Sequence, residues 1–261
     1  MTLLEKKCRT KKITIDMRVL FSLVFFLSTW MLSAQQPMRI LLLNGYLHTG
    51  TGETIESALI GIENGNISLI RNSLASTYEL TDWDTIIDLK GRHVYPGFVA
   101  PNSTLGLTEI DAVRATLDYE EVGIYNPHIR AQIAYNVESK VIATVRTNGV
   151  LLTQTTPRGG VISGSSSIMR MDGWNWEDAT IRSEDGIHLN WPTTIVHRRQ
   201  SGEKGDLHDE EYENRKREIY QFFEMAAAYS TTSDHRPELF DGRLEAMRDC
   251  FKGTKDRKSV V

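Results

Sequence analysis

The run Asn136-Val137-Glu138-Ser139-Lys140-Val141-Ile142-Ala143-Thr144-Val145-Arg146-Thr147-Asn148-Gly149-Val150-Leu151-Leu152-Thr153-Gln154-Thr155 decides the fold class. Val137, Val141, Ile142 and Val145 share one helical face, Asn136 is placed to cap the first turn, and Gly149 stands where a left-handed residue ends a helix. Val150 to Thr155 then reads as a buried strand. Helix followed directly by strand is the repeating element of a parallel α/β fold, whose crossovers are right-handed. The expectation from Pro96 onward is therefore strands alternating with helices.

Downstream, the run Thr156-Pro157-Arg158-Gly159-Gly160-Val161-Ile162-Ser163-Gly164-Ser165-Ser166-Ser167 reads as a glycine- and serine-rich loop at the carboxyl end of that strand, the side on which α/β folds bind ligands. Arg158, Gly159, Gly160, Ser163 and Gly164 are the substrate-loop candidates. Backbone N–H groups of Gly159, Gly160 and Gly164 could hold an anion or a carbonyl, although glycine and serine are equally the residues of any tight loop. A serine nucleophile needs a neighbouring base, and no Gly-x-Ser-x-Gly elbow occurs, so no catalytic residue is assigned. Trp174 and Trp176 read as packing and capping residues, and the adjacent Glu177 and Asp178 do not form an acid/base pair.

Upstream, residues 37–95 read as one β-rich unit. Arg39 to Leu43 is a strand ending at an Asn44-Gly45 turn, and Ala58 to Ile62 with Asn66 to Ile70 flank Asn64-Gly65, the strongest short hairpin signal. Thr85 to Leu89 extends what is expected to be a small antiparallel sheet. Farther on, a helix carries Tyr212, Ile219, Phe223 and Ala226 as its apolar stripe, with Glu211–Arg215 and Glu213–Arg217 as i,i+4 pairs. A shorter helix over about Arg243 to Phe251 presents Leu244, Met247 and Phe251 and stops at Lys252-Gly253.

Composition narrows the function classes. Of 261 residues, 40% are hydrophobic and 25% charged, and 34 acidic against 30 basic side chains leave a net charge of −4, without the basic footprint of a nucleic-acid binder. The two cysteines, Cys8 and Cys250, exclude a disulfide framework and a thiolate zinc site. Lys6, Lys7, Arg9, Lys11, Lys12 and Arg18 precede the apolar run Val19 to Leu32 and the small residues Ser33 and Ala34, which describes an export signal over residues 1–34, with Met17 as an alternative start. The alternative is an N-terminal membrane anchor, although the run is shorter than the ~20 apolar residues of a spanning helix. The expected location is periplasmic or extracellular, with no stable membrane span after cleavage.

Leu43-Asn44-Gly45, His48-Thr49-Gly50-Thr51-Gly52, the Asn64-Gly65 hairpin, Asp88-Leu89-Lys90-Gly91 and Pro96-Gly97-Phe98-Val99 together resemble the N-terminal part of the amidohydrolase superfamily, in particular its imidazolonepropionase-like branch. The resemblance implies a small β-sandwich joined to a metal-dependent (β/α)8 TIM-type barrel that hydrolyses C–N bonds, usually with zinc or a similar divalent metal. Here the barrel would be partial, over residues 96–255, because these supply less than the ~250 residues of a complete one. Residues 256–261 coincide with the in-frame translation of a common sequencing adapter and are expected to be a non-native tail.

The departure from the family pattern is as informative. The positions of the first-strand aspartate and His-x-His pair are Ala100, Asn102 and Thr104, and a carboxamide and a hydroxyl are poor ligands for a zinc-like ion. None of the seven histidines is spaced i,i+2 or i,i+4 from another, so each reads as a surface or turn residue. No metal or other cofactor is expected for this chain. Two function classes follow: an exported amidohydrolase-family protein represented by an inactive fragment, or a non-catalytic relative that binds or scaffolds beside a paralogous subunit. A small-molecule substrate remains compatible with both.

Overall fold

The computed structural model describes residues 38–75, 77, 79–193, 195–196, 207–208, 211–232, 237–253 and 256–260. Residues 1–34, read from the sequence as an export signal, with Met17 and Cys8, lie outside them. The chain divides into two compact units, residues 1–96 and 97–261.

The first unit is a sheet of strands β1 (Arg39–His48), β2 (Thr54–Glu63), β3 (Asn66–Asn72), β4 (Thr85–Asp88) and β5 (His93–Val94), ordered β3-β2-β1-β4 with β5 also on β1. Asn64 (φ 53°) and Gly65 (φ 77°) make the hairpin turn between β2 and β3, both central residues taking the left-handed conformation such a turn demands. Two expectations are corrected. Asn44-Gly45 does not end β1: the strand continues through a register shift between Leu42 and Gly45, with Asn44 at φ 55°. The sheet is mixed, because the chain crosses over after β3 and lays β4 and β5 parallel to β1. Leu47, Ala58 and Ile60 form the core of this unit, with Leu42, Ile55 and Val94 against them.

The second unit contains β6 (Phe98–Ser103), α1 (Lys140–Thr147), β7 (Val150–Thr155), β8 (Ile162–Arg170), α2 (Trp176–Ala179) and β9 (Thr180–Asn190), then a two-residue pair β10 (Ile195–Val196) and β11 (Leu207–His208), α3 (Tyr212–Thr231), α4 (Gly242–Lys252) and β12 (Asp256–Val260). Its main sheet is ordered β12-β9-β8-β7-β6. Helix α1 starts later than predicted. Ser139 Oγ, not the Asn136 side chain, accepts from the amides of Val141 and Ile142, whereas Asn136 Oδ1 accepts from Glu138 N in the preceding turn. Its end is as expected, with Gly149 at φ 87°.

Strand–helix alternation holds for β6-α1-β7, which are joined in parallel, and then stops. The stretch read as a loop through Ser167 is loop only as far as Val161. Left-handed Gly159 and Gly160 help reverse the chain, and Ile162 onward returns as β8, antiparallel to β7 and followed by antiparallel β9. The serines suit this central strand because their small side chains are enclosed and the hydroxyls of Ser165, Ser166 and Ser167 find partners on neighbouring segments. Helices α3 and α4 cover the sheet, with Phe222, Ala226, Met247 and Cys250 packed on Ile162 and Ile187. Phe222 rather than Phe223 faces inward most completely, and Cys250 takes the buried place expected for Phe251. The Glu211–Arg215 pair forms at 3.3 Å, while Glu213 pairs with Lys216 rather than with Arg217. The six residues expected to be non-native include β12, which pairs in parallel with β9. Among the described residues, no helix is long and apolar enough to cross a membrane.

Candidate functional site

A β-bulge builds the site. Ala100 pairs with Thr153 and Ser103 with Thr155, so two β6 residues, Pro101 and Asn102, stand opposite Gln154 alone. The extra residue drives Asn102 to φ 47°, a conformation asparagine tolerates better than most side chains. Its backbone N–H donates to Gln154 Oε1 at 3.1 Å. Arg158, just beyond β7, grips the same residue twice: Nη1 donates to Asn102 Oδ1 at 2.9 Å and Nη2 to Asn102 O at 2.6 Å.

Beneath this exposed pair lies a buried relay. Gln154 Nε2 donates to Asp185 Oδ2 at 2.6 Å, and Asp185 also faces the Arg182 guanidinium at 3.5 Å. Gln154 and Asp185 are each only 7% exposed, so these donors help to offset the hydration that the Asp185 carboxyl group loses. A second knot forms among Gly159, Gly160, Ser163 and Asn190. Ser163 Oγ donates to Gly159 O at 2.7 Å, and Asn190 Nδ2 lies within hydrogen-bonding reach of Gly159 O, Gly160 O and Ser163 Oγ.

The five sequence candidates thus separate. Arg158 joins Asn102, Gln154 and Asp185. Gly159, Gly160 and Ser163 belong to the Asn190 knot, in which the Ser163 proton goes to a carbonyl rather than to a base. Gly164 lies within β8 at φ 136°, where a Cβ would come 2.7 Å from Ile129 O, so its role is close packing of strand and loop. Thr104 stays at the strand end, its carbonyl accepting from Leu107 N. Sequence reading missed Gln154 and Asp185, since only the β7–β8–β9 meander brings them together. Trp174 is also corrected: it is 94% exposed beside an open cleft of about 430 Å³ lined by Arg170, Asp172 and Asp178, whereas Trp176 does pack on the core around Met169 and Met171.

A divalent metal does not fit the Asn102 position. The carboxamide oxygen that could ligate it is occupied by a guanidinium, a fixed positive charge. Among the described residues, no three His, Cys, Asp or Glu side chains converge as a ligand set.

Comparison with solved structures places this architecture. The chain is similar to the crystal structure of an amidohydrolase from Thermotoga maritima MSB8, with a TM-score of 0.67 and 17% sequence identity over 84% of this chain. The fold is amidohydrolase-like. The chain spans 57% of the length of that amidohydrolase. No protein-family model and no curated protein matches the sequence.

Proposed function

We propose that this amidohydrolase-like chain is an exported, non-catalytic relative of the imidazolonepropionase-like branch, which binds a small polar molecule where β6 and β7 end. In this reading Gly97 onward is part of a (β/α)8-type barrel, and the C–N hydrolysis typical of the family is absent from this chain. A paralogous subunit with an intact metal centre would supply any catalysis. Support comes from the parallel β6-α1-β7 unit, the mixed sheets and the similarity to a solved amidohydrolase.

The observation that carries the proposal is the double hydrogen bond from Arg158 to Asn102. It sets an arginine against the position where the family resemblance would call for a metal-binding imidazole. Guanidinium and carboxamide together offer donors and an acceptor suited to a carboxylate- or amide-bearing ligand. Zinc titration by calorimetry of chelator-free protein, with a cyclic-amide hydrolysis assay, tests the reading. Expected are no stoichiometric zinc binding at this site and no turnover. Zinc bound at one ion per chain and lost on Asn102→Ala, or turnover abolished by that substitution, would overturn it.

A further inference from the structure

Trp174 and Trp176, two residues apart, are treated in opposite ways by the fold. Trp176 packs on the core around Met169 and Met171, whereas Trp174 stands almost wholly in water on the loop between β8 and α2. That loop is pinned at several points. Trp174 N donates to Asp178 Oδ2 at 3.1 Å, Asp178 N donates to Asn175 Oδ1 at 2.8 Å, and Gly173 lies so close to Ala179 that an added Cβ would come 3.0 Å from the Ala179 Cβ. The indole is therefore held out from a fastened backbone, and it borders the cleft of about 430 Å³, within the ~300–1,000 Å³ of ordinary ligand pockets. The carboxylates lining that cleft are already balanced: Asp178 faces the Arg170 guanidinium at 3.2 Å, and Asp172 faces that of Arg146 at 2.7 Å.

We propose that this cleft is a binding site for a neutral saccharide, with the indole of Trp174 as the stacking platform. A pyranose with equatorial hydroxyls has an apolar C–H face and a polar rim, so it suits a flat aromatic surface edged by donors and acceptors. Trp174 supplies the surface, the Asp172 and Asp178 carboxylates accept from sugar hydroxyls, and the Arg170 guanidinium donates to them. The pairing of both carboxylates with arginines argues against the charged ligands that an exposed indole could also attract. A cation would meet carboxylates already neutralised, and an anion guanidinium groups already engaged, whereas hydroxyl groups bind to ion pairs without needing a net charge. The site is separate from the Arg158–Asn102 cluster: Arg170 pairs with Leu152 near the start of β7, while Arg158 follows the other end of that strand. It therefore stands whether or not a ligand binds at Asn102.

Titration of the full chain with methyl β-glucoside, methyl β-galactoside and cellobiose, followed by two-dimensional NMR, tests this. At least one of these sugars should shift the Trp174 indole N–H and the Gly173 amide together and saturably, while choline and acetate should shift neither. Read at the Gly173 amide, Trp174→Ala should weaken binding by at least about tenfold and Trp174→Phe by less, because a ring remains. Tyr95→Ala, at an exposed aromatic of the first unit, should leave binding unchanged. Because Trp174 is exposed, its variants should keep the wild-type circular dichroism. No saturable shift with any of these sugars, an equal response to choline or acetate, or undiminished binding in Trp174→Ala would overturn the proposal.

Discussion

Asn44 in β1 and Asn102 in β6 are the same backbone device in two settings. Each lies at an irregularity in the first strand of its unit, at φ 55° and 47°, and each strand has a parallel neighbour. Asn44 turns outward: its Nδ2 donates to Asp88 Oδ1 at 3.0 Å, and both residues are exposed. Asn102 sits above the enclosed Gln154–Asp185 pair and is held by Arg158. The kink alone therefore defines no site. What differs is the layer below it, which in the second unit is the buried Gln154–Asp185 hydrogen bond.

The sharpest way to break the contrast is to remove that layer. Gln154→Ala deletes the 2.6 Å donor to Asp185 and the acceptor of Asn102 N–H, at a carboxyl group that is only 7% exposed. The expected loss is about 2–3 kcal/mol, the range for stripping a buried charged group of a hydrogen bond. Urea unfolding measures it, and a loss near zero would mean that the relay does not support the bulge.

The legible parts of the fold were those governed by local chemistry. Asn64-Gly65 announced its hairpin because both residues accept positive φ, and Gly149 announced the end of α1 for the same reason. The Gly253 stop of α4, at φ 75°, belongs with them. β8 was illegible because its burial does not come from apolar side chains: Ser165, Ser166 and Ser167 are fully enclosed, yet their hydroxyls use partners distant in sequence, such as Gln132 for Ser167. Local serine and glycine content matches that of a turn, and nothing within the segment signals the returning strand. The candidate site divides in the same way. Arg158 was visible by its place after a strand, whereas the meeting of Gln154 with Asp185 depends on strand order, which no spacing along the chain encodes.

A smaller effect separates backbone from side chain at the second bulge. Asn102→Ala removes the Oδ1 acceptor of Arg158 and also forces alanine to φ 47°, a conformation that costs a non-glycine residue about 1–2 kcal/mol. Asn102→Gly removes the same acceptor without that strain. Alanine is therefore expected to be less stable than glycine by about 1 kcal/mol in parallel unfolding experiments. Equal stabilities would show that the strand relaxes out of the bulge once Arg158 lets go.

The smallest effect is expected at the outward-facing bulge, where it should depend on pH. The amide of Lys90 and then the Asn44 side chain, by donating to Asp88, hold its carboxyl below the usual aspartate range. A carboxylate with a lowered folded value contributes its stability above the unfolded pKa of about 3.9, and that contribution disappears as pH falls through the lower folded value. Asp88→Asn keeps an acceptor oxygen but loses the charge, so the variant should be slightly less stable than wild type at pH 7 and equally so at pH 5. Below about pH 4 the gap should begin to close, and it should vanish once pH has fallen beneath the lowered folded value, where the wild-type side chain is neutral too. Because Asp88 is exposed to water, salt should shrink the difference as well. A gap that persisted undiminished at pH 2 would assign the effect to the shape of the Asn44 bulge and remove charge from its side of the comparison.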